Sequence, residues 1–280
     1  MSVKIVADSS CDLPIPFVVD KGVDFAVVPL KIRVGHREFI DDPSLDVPEL
    51  LAAMKSDKGP SSTACPSPEE FAAQFRGADE VFAVTISSKL SGTYNSACVA
   101  RDMVLEESPH KKIHVVDSLA TSSAMGLLIL RLMGYIRAGK LEFDSIAERT
   151  ELYRKTLSTR FLIQSFDNLI KAGRMSRITG TVAQVLSIRP ICGDNGKGEI
   201  KIFEKVRGSK TAMTRLVEMM ADKASPDGKP IFISHCNNPE DAEFLRDVAC
   251  RLYSPSQVRI FDMRGLASYY AGDKGVILAY

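Results

Sequence analysis

The chain has 280 residues, of which 45% are hydrophobic and 25% charged, and its formal net charge is +1. That length allows one large domain or two of ordinary size, and the neutral balance gives no bulk attraction to nucleic acid or an anionic membrane. No apolar run reaches the ~18 residues a spanning helix needs, and residues 1–8 read as a strand rather than a secretion signal, so a cytoplasmic protein is expected.

Residues 3–7 form a short apolar strand. It ends in Asp8-Ser9-Ser10-Cys11-Asp12-Leu13-Pro14, where Asp and Ser favour a turn and Pro suits the start of a short helix to Gly22. Residues 24–34 alternate and are β-branched, so they read as one strand. A turn at Gly35-His36 leads into 38–40. Asp41-Asp42 has no third acidic ligand beside it and reads as a solvated turn rather than a metal site. A modest helix over 47–56 precedes a loop rich in breakers, Lys58 to Pro66. Ser67-Pro68-Glu69-Glu70 then supplies a capping box with Pro at the first helical position.

Residues 80–86 are a buried strand. It runs into Ser87-Ser-Lys-Leu-Ser-Gly-Thr-Tyr-Asn-Ser-Ala97, and a helix over 94–105 comes after it. Hydroxyls, free amides at a helix start and Gly92, which lets a ligand approach the backbone, fit an anion site. An ordinary helix cap by Ser91 or Thr93 fits the same residues. Local features leave both readings open. A strand over 112–117, a hydroxyl-rich stretch 118–123 and a helix over 124–138 ending at Gly139 come next. Asp144-Ser145 with Glu148 caps a further helix to about 159. Strands alternating with helices argue a mainly parallel sheet. The loops 8–13, 87–93 and 118–123 all come after strands, so they converge on the carboxyl edge, where such sheets bind ligands.

From Arg160 the texture changes. A strand over 161–164 and a short helix over 168–172 stopped by Gly173 precede Arg174-Met-Ser-Arg177 and a helix over 178–187. Strands over 189–192 and 199–207 flank the turn 193–198. A helix over 209–224, a strand over 230–235, a helix over 239–253 and a strand over 257–263 lead to a small-residue end with two adjacent tyrosines. The expected fold class is therefore α/β with two domains. Residues 1–158 form a mainly parallel sheet with flanking helices and carry the hydroxyl-rich loops. Residues 159–280 form an α+β domain that carries the arginines.

The six cysteines make no C-x-x-C pair and the four histidines do not cluster, so no disulfide framework, metal site or catalytic histidine dyad is indicated. The cysteines read as reduced core or loop residues, with Cys11 and Cys65 in polar loops where a thiol can react. The G-x-S-x-G elbow, the phosphate-binding G-x-x-x-x-G-K-[ST] and the dinucleotide G-x-G-x-x-G are all absent. What remains is equipment for holding an acid. Thr63, Ser91, Thr93 and Ser118 are hydroxyl donors, and Arg174, Arg177, Arg189 and Arg207 are cations able to grip a carboxylate or phosphate.

These residues also carry a resemblance. Asp8-Ser-Ser-Cys-Asp-Leu13, Thr63-Ala-Cys-Pro-Ser-Pro68, Ile86 to Ala97, Asp117-Ser118, Leu169-Ile-Lys-Ala-Gly-Arg-Met-Ser176, Arg189-Pro-Ile191 and Lys205-Val-Arg207 with Lys210-Thr-Ala212 occur in this order over essentially the whole chain. In this the chain resembles the DegV-type family of bacterial fatty-acid-binding proteins. The resemblance implies a lipid tunnel between the two domains. It implies that Thr63 and Ser91 hold a fatty-acid carboxylate, joined by Arg174 and Arg207; Gly92 and Thr93 beside Ser91, and Ser118 in the loop 118–123, are expected at the same site. It implies that a separate fatty acid kinase phosphorylates the presented carboxylate for phospholipid synthesis, so the carrier needs no catalytic residue and no cofactor besides its ligand. Many members carry His-x-Gly-Pro-Gly near the C-terminus, with the histidine by the head group. Here Tyr269-Tyr270-Ala271-Gly272-Asp273-Lys274-Gly275 stands in that place, with Tyr270 for the histidine and no proline. A phenol can hydrogen-bond a carboxylate but brings no positive charge. An enzyme acting on a small phosphorylated or carboxylated metabolite at the same loops, and a lipid-sensing regulatory protein, are the alternatives.

Overall fold

The computed structural model describes residues 2–14, 23–57, 59–175, 188–223 and 225–280. The helix expected to reach Gly22, the pair Ser176-Arg177, the helix over 178–187 and Ala224 lie outside the described residues.

Four strands, β1 (Val3–Asp8), β2 (Asp24–Val28), β6 (Glu80–Thr85) and β7 (Lys112–Asp117), form an all-parallel sheet in the order β2-β1-β6-β7. The apolar runs of the central strands β1 and β6 are buried on both faces, as a covered parallel sheet requires. Val6, Val81 and Ala83 pack with Phe71 of α2 (Pro68–Phe75) and Ala97 of α3 (Thr93–Glu107). The alternate residues Ile5, Ala7, Phe82 and Val84 pack with Leu128 of α4 (Ser122–Ala138) and Phe143 of α5 (Phe143–Arg154). The capping box holds at α2: Glu70 N–H donates to Ser67 Oγ at 3.3 Å, and Ser67 N–H donates to Glu70 Oε2 at 2.7 Å.

The single strand expected over 24–34 is cut in two. Pro29 offers no N–H to a ladder, and Leu30 N–H donates instead to Ser9 Oγ at 3.1 Å. Residues beyond the cut form β3 (Lys31–Val34), which joins β4 (Arg37–Ile40) and β5 (Ser61–Ala64) in an antiparallel sheet of order β4-β3-β5. Strand β5 lies in the stretch read from sequence as a loop. The helix α1 (Val47–Ser56) packs beside it with Leu50 and Ala53 inward.

The remaining strands, β8 (Thr159–Leu162), β9 (Ile188–Asp194), β10 (Ile200–Arg207), β11 (Pro230–His235), β12 (Gln257–Asp262) and β13 (Val276–Ala279), build a mixed sheet of order β10-β9-β8-β13-β11-β12. The C-terminal apolar residues thus occupy the centre of this sheet. With it go α6 (Asp167–Lys171), α7 (Ser209–Glu218), α8 (Pro239–Leu252) and α9 (Gly265–Ala271). Helix α5 starts after Glu142 and ends at Arg154, short of the expected 159. The chain end competes for the residues just beyond it: Ser158 and Tyr280 exchange two backbone hydrogen bonds. Phe232 and Ala279 share the core of α4, so that helix lies between the parallel sheet and the mixed one.

Candidate ligand-binding cavity

The loops after β1, β6 and β7 meet at the carboxyl edge of the parallel sheet, as their spacing predicts. Ile86 N–H donates to Asp8 Oδ2 at 2.6 Å, Ser87 N–H to the Ala120 carbonyl at 2.9 Å and Ser88 N–H to Asp117 Oδ1 at 3.0 Å. Between this edge and the mixed sheet lies a cavity. Leu30, Ile86 and Leu90 wall one side, and Phe161, Ile163 and Ile277 the other. Thr159, Phe161 and Ile163 alternate along β8 and the residue that continues it, so they face the cavity in a row. At ~3.3 Å per strand residue the row covers ~13 Å.

At the Ile163 end the lining turns polar. Thr63 of β5 and Tyr270 of α9 share a hydrogen bond of 2.9 Å between Oγ1 and the phenol. The neighbouring Tyr269 phenol donates to Ser61 Oγ at 2.8 Å. Two tyrosines thus fasten α9 to alternate residues of β5. The Ser91 loop comes up beside them: Cys65 Sγ lies 3.5 Å from where a Cβ on Gly92 would stand. Gly92 occupies the position before α3, and no side chain caps that helix. Ser91 Oγ instead shares a 2.8 Å hydrogen bond with Thr93 Oγ1 and accepts from Thr93 N–H at 3.4 Å. Gly173, at φ +71°, turns the chain after α6. Arg174 then donates from Nε to the Leu90 carbonyl at 2.8 Å and from Nη1 to the Ala172 carbonyl at 2.5 Å. Those carbonyls hold the guanidinium against the Ser91 turn.

Thr63, Ser91, Arg174 and Tyr270 therefore line one cavity, although they come from β5, two loops and α9. The other four residues expected at the site stand elsewhere. Gly92 and Thr93 support Ser91 from behind. Ser118 is buried and spends its hydroxyl on its own turn, accepting from Ala120 N–H at 3.1 Å and donating to the Ala120 carbonyl at 3.0 Å. Arg207 is exposed at the end of the edge strand β10, opposite Ile188, and is not among the lining residues. Among the described residues no group of three or more His, Cys, Asp or Glu is arranged to hold a metal ion.

Three carboxylates missed as site components prove to hold the polar end together. Asp41, read as part of a solvated turn, is 0% exposed. It accepts from Gly265 N–H at 2.8 Å and Leu266 N–H at 3.0 Å, which caps α9. Asp12, in left-handed conformation, accepts from Arg264 N–H at 2.8 Å and from the Ser122 hydroxyl at 2.5 Å. Asp8 accepts from Ser10 N–H and Ile86 N–H. Burial pushes Asp8 up to about 6 and Asp12 up to about 7, and raises Asp41 as well; the hydrogen bonds only partly oppose it. Cys11 is also buried, in keeping with its reading as a reduced core or loop residue, and burial pushes its thiol up to about 12, which leaves little thiolate to react. The sequence signal that could have found Asp41 is its lone acid pair ahead of a helix, a pattern too common to single out.

Fold and cavity together define a two-domain α/β protein with a mostly apolar cavity on which Thr63, Ser91, Arg174 and Tyr270 meet. The family model that matches residues 2–280 is the DegV one, described as "Uncharacterised protein, DegV family", and the chain belongs to that family. A DegV domain-containing protein of Streptococcus pyogenes serotype M1 is 35% identical over 280 residues, covering 100% of this chain and 99% of its own. Among solved structures, a DegV protein of Ruminococcus gnavus refined with vaccenic acid superposes with a TM-score of 0.94 at 32% identity, covering 100% of this chain and 99% of its own. The Fatty Acid Kinase (Fak) B3 protein of Streptococcus pneumoniae, loaded with linoleic acid, gives 0.93 at 34% identity with the same coverage. A DegV protein of Eubacterium eligens loaded with heptadecanoic acid gives 0.92 at 34% identity, covering 99% of each chain.

Proposed function

We propose that this chain is a long-chain fatty-acid carrier that presents its ligand to a separate fatty acid kinase. The observation that carries the proposal is the cavity itself: its lining is mostly apolar, and Thr63, Ser91, Arg174 and Tyr270 meet on it, with Thr121, Thr159, Asp194 and Glu199 as its other polar residues. Burying about fourteen methylenes at ~0.8 kcal/mol each gives on the order of 11 kcal/mol before ordering costs. A carboxylate buried without partners would offset much of that, and the hydroxyls with Arg174 supply the partners. Ser91 and Thr63 act as donors to the carboxylate, with the phenol of Tyr270 bracing Thr63. No residue here acts as a nucleophile or base. The proposed division at 158/159 places the hydroxyl donors in the first unit and Arg174 and Tyr270 in the second, so the ligand bridges both. Work in the cytoplasm fits a chain in which no described helix is long and apolar enough to cross a membrane.

Titration calorimetry of delipidated protein with palmitate and oleate tests the binding. Saturable one-to-one binding is expected, and a flat trace for both acids contradicts it. The presentation step is tested by supplying the loaded protein to a purified fatty acid kinase with ATP. Acyl phosphate forms if the carrier presents its ligand, and its absence with a kinase active on another carrier rejects that step.

A further inference from the structure

The Thr159 end of the chamber abuts a second cavity, and Leu119, Ala120, Thr159 and Asp194 line both. We propose that Leu119 is the end stop that limits acyl-chain length, an inference that rests on the fatty-acid reading of the chamber. Of the four shared residues, Ala120 offers only a methyl. Thr159 and Asp194 are tied to each other by the Thr159 N–H to Asp194 Oδ2 bond of 2.7 Å. Leu119 is the bulky apolar member, and its backbone is held at φ +52°, in the left-handed region that side chains other than glycine rarely enter.

A tight frame holds it there. Leu119 N–H donates to Asp117 Oδ1 at 3.1 Å, and Arg154 donates to the Asp117 carbonyl at 3.1 Å. The next residue, Ala120, is fixed by Ser118 and by Ser87 N–H. From the mixed sheet the tip of the β9–β10 hairpin closes over it. Gly198, at φ +84°, accepts from Ser87 Oγ at 2.7 Å, and a Cβ on it would stand 2.3 Å from Ser87 Oγ and 3.0 Å from Leu119 Cδ2. A residue kept in an uncommon conformation at the junction of two cavities has its side chain aimed by the fold. Removing that side chain frees its own volume at the end of the chamber, which makes room for further methylenes; the smaller cavity beyond is lined by Arg154, Lys155 and Lys223 as well as Ala124 and Leu157.

The test is competitive loading. Delipidated wild type, Leu119→Ala and Leu119→Gly are each offered an equimolar series of straight-chain saturated acids from laurate to behenate, and bound adducts are read by native mass spectrometry. Glycine accepts the positive φ without strain, so the second variant keeps the fold, which its melting curve checks. Both variants should move the most abundant adduct to a longer homologue and raise the long-to-short adduct ratio about tenfold, the worth of two further buried methylenes. An unchanged adduct profile in folded variants overturns the end-stop role alone. A wild type that loads none of the acids overturns the fatty-acid reading, and the end stop with it.

Discussion

In the proposed function Ser91 and Thr63 bind the acid through hydroxyls, and hydroxyls are cheap to delete without disturbing packing. Thr63→Ala and Ser91→Ala are each expected to weaken fatty-acid binding by about 1–2 kcal/mol, measured by calorimetry against a melting curve that stays near wild type. Unchanged affinity in both variants would place the head group elsewhere. Tyr270→Phe removes the phenol that holds Thr63 at 2.9 Å and is expected to weaken binding by about 1 kcal/mol in the same titration. At this scale the sequence was legible where short motifs carry chemistry. Thr63, Ser91 and Arg174 sit in recognisable hydroxyl-rich or Gly-Arg stretches. Asp41 was not legible, because the helix it caps lies more than two hundred positions away in the chain. Nothing local to Asp41-Asp42 distinguishes a buried cap from a wet turn. Ser118 is a different case: its hydroxyl bonds within its own loop.

Helix α9 is the element on which the polar end depends. Asp41 caps it, Asp12 accepts from the residue before it, and its two tyrosines reach β5. Asp41→Ala leaves two buried N–H groups unpaired and is expected to cost about 2–4 kcal/mol in urea denaturation, with weaker acid binding as a second readout. The buried carboxylates also set a pH dependence. Asp8 and Asp12 titrate in the folded protein at about 6 and about 7, above the ordinary 3.8. The folded state therefore holds their protons more tightly than the unfolded chain. Their contribution to stability is full below about pH 4 and is lost as pH rises towards about 7. Melting temperature from this pair should fall across that window, and an Asp12→Asn variant should flatten the fall. The continuous apolar run of β6 and the helix α3 that follows its hydroxyl-rich loop were readable in the sequence. Strand β5 was hidden among Pro, Gly and Ser, because its pairing with β3 comes from across the fold. The short helix α9 and the central β13 escaped for the same reason.

Of the three sheets among the described residues, the parallel and the mixed one face each other across the cavity, with α4 between them, and side chains from both halves line it. A ligand spanning that gap links the halves. At a free acid concentration a hundred times its dissociation constant, it should stabilise the fold by about 2.7 kcal/mol. Scanning calorimetry with and without oleate should show that as a raised melting temperature. The alternation of strands and helices made the parallel sheet and its converging loops legible. The chamber's length and its closure at Leu119 depend on how β8 faces the first sheet, which no sequence pattern records. The central claim is that the chamber holds a fatty acid. Native mass spectrometry of freshly purified protein tests it most directly. An adduct of fatty-acid mass, lost on delipidation and restored by palmitate or oleate, is predicted. A clean apo protein that takes up neither acid would contradict it.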